Sequence, residues 1–199
     1  MSELDILYDH YKESFSYLRN YLKQRDKLTV YCAVAIGILF LSFFLPSDFE
    51  NITKTLLEKQ LTIELSDLKI IETFILFVLL LMVMKYFQIN IFIERQYDYI
   101  KKIEKDLTAN LNNFKIEREG KAYLKYYPLI LGASDKIYKW GFPLLLVTSL
   151  IVKWNEGLNK LTQYKFFCLF TLDSVVILGI IILTLLYLSW IHFHDFKKK

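Results

Sequence analysis

The chain has 199 residues that are 54% hydrophobic and 17% aromatic yet 23% charged, with a mean hydropathy of +0.29. Six Gly and three Pro exclude collagen-like and loop-rich β architectures, and two Cys exclude a disulfide scaffold. A net charge of +4 is too small to mark a nucleic-acid binder by itself. Charges are nearly absent from four stretches and dense between them. The expected fold class is therefore all-α: an integral membrane protein with four transmembrane helices and helical cytoplasmic extensions.

Residues 1–27 read as an amphipathic helix. Leu4, Leu7, Tyr11, Phe15, Leu18 and Leu22 recur at steps of three and four, the spacing of one helical face. Nothing between Leu22 and Leu28 breaks the pattern, so this helix is free to run into the first span. That span, residues 28–45, is uncharged for eighteen residues and is closed by Pro46. It meets the roughly 20 residues that a bilayer core about 30 Å thick requires. Residues 46–69 form an outer loop, in which Leu56, Leu57 and Leu61 fit one side of a short helix.

The second span covers residues 70–93, with Glu72 near its outer end and Lys85 in its inner half. The extension at 94–133 continues it: Ile93, Tyr97, Ile100, Ile103, Leu107, Leu111 and Phe114 make another seam of three- and four-residue steps. An unbroken helix over 70–119 would be a rod of about 75 Å, well beyond any bilayer. Its cytoplasmic half needs a partner for its apolar stripe. The candidates are the N-terminal helix, a second copy of the chain, or another protein. Lys115, Arg118, Lys121 and Lys125, interleaved with tyrosines, form a basic surface suited to anionic headgroups or to a nucleotide or nucleic-acid signal.

The third span, residues 134–154, has only twelve uncharged residues at its centre (141–152). It reaches full length with Lys136 and Lys139 snorkelling at one end and Tyr138, Trp140 and Trp154 at the two interfaces. Pro143 should kink it near its start. A short outer loop at 155–165 leads to the fourth span, residues 166–193, and a basic tail at 194–199. Residues 1–27, 94–139 and 194–199 hold five, ten and three basic residues; residues 46–69 and 153–165 hold three each. Eighteen against six places both termini inside, as expected for the inner membrane of a bacterium.

No phosphate loop, nucleophile elbow, Cys-x-x-Cys or His-Glu-x-x-His motif occurs, so no catalytic, cofactor or metal residues are expected. His192 and His194 diverge by about 200° on a helix, which disfavours a shared metal. The functional signal is intramembrane charge, carried by Lys85 and Asp173. Asp173, Ile177, Ile180, Thr184 and Tyr187 share one helical face, which in an oligomer would give an acidic ring above apolar constrictions. Ala33 and Gly37 form a small-xxx-small pair suited to close helix contact.

Four short spans, cytoplasmic ends, helical extensions and no catalytic motif resemble the small membrane proteins of bacterial anti-phage systems. These include the four-span accessory protein of type VI-B CRISPR loci and the membrane subunits of the Kiwa and Hailong systems. Residues 97–105 (YDYIKKIEK) and 118–128 (REGKAYLKYYP) carry the likeness at residue level. The resemblance implies a homo-oligomeric effector that opens or disrupts the membrane when a soluble partner or signal reaches its cytoplasmic helices. The rival expectation is a non-conducting scaffold that recruits a soluble enzyme.

Overall fold

The computed structural model describes residues 3–45, 48–49, 51–52, 55, 68–110, 129–159 and 167–198. Five helices account for nearly all of them, and no strand occurs among the described residues. They are α1 (Glu3–Phe44), α2 (Leu68–Asn110), α3 (Leu129–Lys136), α4 (Phe142–Asn159) and α5 (Phe167–Lys198). A π-helical turn, Ile137–Gly141, joins α3 to α4 without a break. The all-α expectation holds.

α1 and α2 are long because nothing in them stops a helix. α2 contains neither Gly nor Pro across its 43 residues, and α1 has a single Gly in 42. α1 ends where Pro46 disfavours the helical conformation for Leu45. At about 1.5 Å per residue each helix is a rod of roughly 63 to 65 Å. The N-terminal helix does run straight into the first apolar stretch, and the second stretch does continue into its extension.

α1 packs along α2, α2 on α5, α5 on α4, and α4 back on α1. This closes a ring of four helices with α2 and α4 on a diagonal. One core lies inside the ring, with Cys32, Leu76, Leu79, Val83, Tyr86, Leu146 and Ile180 fully buried. A second lies beyond it, between α1 and α2 alone: Tyr11 and Leu18 from one helix, Ile93, Ile100, Ile103 and Leu107 from the other. Leu4, Leu7, Phe15, Leu22 and Tyr97 pack against its edges. Each fully buried aliphatic there contributes roughly 1.5–3 kcal/mol relative to exposure.

Tyr11 donates a hydrogen bond to Glu104 (3.3 Å), the Gln96 amide donates to the Ser14 carbonyl (3.3 Å), and Tyr21 stacks on Phe92. The two seams read from the sequence are thus each other's partners in an antiparallel stalk. Leu111 and Phe114 lie outside the described residues, as do Lys115, Arg118, Lys121 and Lys125. The short helix expected around Leu56, Leu57 and Leu61 lies outside them too.

Around the ring, large apolar side chains face outward: Val30, Val34, Phe74, Leu144, Val175 and Leu186 are each more than half exposed. Two helices are long and apolar enough to cross a membrane, within Ile70–Ala109 and Cys168–Phe193. Only 33% and 22% of their most apolar windows are buried inside the chain. The core helix of a soluble protein is mostly enclosed, whereas these present most of their apolar surface outward.

Candidate functional site

The polar chemistry inside the ring lies at its two ends. At one end, Glu72 of α2 and Lys153 of α4 form an ion pair, both side chains largely withdrawn from solvent. At the other, Lys139 of the π turn sits 2.7 Å from a Glu94 oxygen and 2.8 Å from an Asp135 oxygen. The Glu94 side chain is only 6% exposed. Both pairs bridge the α2–α4 diagonal, where only long side chains can meet. Along α2 the two acids are about 33 Å apart, and along α4 the two lysines about 21 Å. Between the two ends lies the apolar ring core.

The end holding Lys139 is the richer one. Tyr86, fully buried, donates its hydroxyl to the Tyr138 carbonyl at 2.6 Å and packs its ring on Phe142. Arg25 of α1 lies 3.9 Å over the Tyr138 ring while also pairing with Asp26. Asn90, 3% exposed, donates to the Tyr86 carbonyl, and Phe87 stacks on Tyr187 at 4.3 Å. Residues from α1, α2 and α5 thus converge on the π turn and the start of α4. Because the stalk begins at this level, the collar joins the two cores.

The π turn has a local cause. Pro143 has no N–H, and its ring would clash with the carbonyl four residues back, that of Lys139. The helix widens just before it, and the Phe142 N–H bonds to the Ile137 carbonyl, five residues back. The kink expected from Pro143 is therefore a π turn. Lys139, expected to snorkel toward headgroups, instead turns inward because two carboxylates stand within reach. Lys136 is exposed, and Trp140 and Trp154 pack partly buried against the ring core.

The α5 face expected to line a lumen is inside the chain. Ile177, Ile180, Thr184 and Tyr187 are at most 3% exposed and pack in the ring core, and Asp173 is half-buried near the start of α5. Thr184 donates its hydroxyl to the Ile180 carbonyl of its own helix, so its polarity is spent locally. A path lined by this face would have to run through the packed interior of one chain. Lys85 is exposed on α2. Ala33 and Gly37 face outward from α1, and no atom of another helix lies within 4 Å of a Cβ built on Gly37.

Among the described residues no group of three His, Cys, Asp or Glu could hold a metal ion. His192 is exposed, and the side chains of His194 and Asp195 lie outside the described residues. Sequence reading missed Glu94, Lys139, Tyr86 and Glu72–Lys153 as partners. The available signal was an acid on the second apolar stretch and a base on the third, repeated at both ends. No protein-family model, no curated protein and no solved structure matches the chain.

Proposed function

We propose that the chain is a four-span membrane protein, both termini on the cytoplasmic side of a bacterial inner membrane, that serves as a non-conducting anchor and relay. In this reading a soluble protein docks on the α1/α2 stalk, and its push is passed through the collar into the membrane bundle. The observation that carries the reading is the closed interior: the α5 face of Ile177, Ile180, Thr184 and Tyr187 is consumed by packing within the chain. The ion pairs at both ends of α4 support a full crossing by the third span. The architectural likeness to accessory proteins of anti-phage loci fits a partner that acts in defence.

Purified protein in planar bilayers tests this. No current above that of protein-free lipid is expected at any voltage. A steady ion-selective conductance would overturn the anchor in favour of a channel.

A second reading, a homo-oligomer that permeabilises the membrane, is favoured by one observation. The small pair Ala33 and Gly37 faces outward and is unused within the chain. In that case a lumen would form between copies rather than along α5, and Gly37→Leu would abolish both oligomer and current.

A further inference from the structure

We infer that the π turn Ile137–Gly141 is a two-register joint, held in its π register by Tyr86 and Glu94 of α2. The inference deepens the relay reading by naming how the collar responds. It rests on that reading for what moves α2, while the joint itself stands on geometry.

In an α-helical register the Phe142 N–H would bond to the Tyr138 carbonyl. Here it bonds to the Ile137 carbonyl, so the helix releases the Tyr138 oxygen. That oxygen is taken by the Tyr86 hydroxyl at 2.6 Å. Tyr86 is fully buried, so no water competes for its proton. The acceptor that the π register frees is thus supplied with a donor from another helix. The next residue, Lys139, is tied to Glu94 of the same helix at 2.7 Å. Arg25 of α1 covers the Tyr138 ring.

Each hold comes from the stalk-bearing helices, and each acts on a residue inside the turn. Return to the α register would give the Phe142 N–H the Tyr138 carbonyl and expel the Tyr86 hydroxyl. Pro143 already disfavours the α register at the Lys139 carbonyl, and the two α2 side chains add a hold that a movement of α2 can withdraw.

The movement on release follows from helix geometry. A π turn holds one residue more than an α turn. Relaxing it rotates the segment before it by about 100° relative to α4 and extends the rod by about 1.5 Å. That segment is α3, and among the described residues no other helix packs broadly along it. A displacement of α2 that withdraws Tyr86 and Glu94 would turn α3 and whatever follows from it on the cytoplasmic side.

The test is a distance measurement on full-length protein in nanodiscs, with no partner added. Both native cysteines are replaced by alanine, and nitroxides are placed at Lys101 and Ala133, which are exposed on α2 and α3. The parent should give one distance. Tyr86→Phe removes one oxygen and keeps the ring that packs on Phe142. It should add a second population displaced by roughly 5–10 Å, as expected for a label carried around a helix by one residue.

Glu94→Gln should do the same. If that variant does not fold, Glu94→Gln/Lys139→Met/Asp135→Asn, which removes the charge of the whole cluster, carries the same expectation. Deleting Ile137 removes the extra residue, so Tyr86→Phe in that background should leave the distance unmoved. An unchanged distribution in Tyr86→Phe and in the Glu94 variant would overturn the joint, as would a shift that survives the deletion. The bilayer current measured for the anchor reading is independent of either result.

Discussion

At the residue scale, the charges at the two ends of the ring are paired. Glu72 and Lys153 are paired across the diagonal with 17% and 14% of their side chains exposed. Removing one partner leaves a charge with nothing opposite it, whereas removing both leaves a neutral interior. Lys153→Met should therefore destabilise the folded chain by about 2–3 kcal/mol, discounted from the deep-burial value for the remaining exposure. Glu72→Gln/Lys153→Met should recover most of that loss in detergent melting. A double variant as unstable as the single would mean that the pair is replaced by solvent rather than by packing.

The sequence makes each of these charges visible but not their partners. Glu72 and Lys153 are 81 positions apart, and no helical periodicity connects them. Thr184 shows the opposite error: a polar residue on a buried face reads as lumen-facing when its hydroxyl is already satisfied by its own backbone.

At the element scale, the stalk is the part the sequence described best. The steps from Leu4 to Leu22 and from Ile93 to Leu107 each report one face of one helix, and a stripe in each of two neighbouring helices has a simple solution in the other. Leu18 and Ile100 are buried to 2% and 0% in that seam. Leu18→Ala or Ile100→Ala should each cost about 2–5 kcal/mol locally, and limited proteolysis should then cut residues 3–27 and 94–110 faster while sparing the four-helix ring. Protection equal to that of the unsubstituted chain would place the seam's stability elsewhere. The π turn was legible only as a disturbance at Pro143. The carbonyl it frees is taken by Tyr86, 52 positions away.

At the scale of the whole molecule, the four apolar stretches and the basic asymmetry set the expected topology. Lys12 and Lys101 are exposed on the two helices of the stalk, and Asp48 is exposed beyond the opposite end of α1. Cysteines placed at Lys12 and Lys101, with native cysteines removed, should react with an impermeant maleimide only after the membrane is opened. A cysteine at Asp48 should react in intact spheroplasts. Labelling of all three from one side would mean that α1 does not cross. The diagonal of α2 and α4 was beyond sequence reading, because four apolar helices of similar character can ring in more than one order and hydropathy is alike for each.

The unbroken course of α2 has a mechanical consequence. A helix of 43 residues without Gly or Pro bends little, so its two halves cannot move independently. The collar grips it near Asn90, with about 25 Å of helix to Leu107 on one side and about 27 Å to Glu72 on the other. It is a lever with nearly equal arms and its fulcrum at the collar. In the anchor reading, a sideways shift at the Leu107 end would reappear, reversed, at the Glu72–Lys153 pair. In that reading, a protein that pushes on the stalk would thereby be felt on the far side of the membrane without anything passing through it.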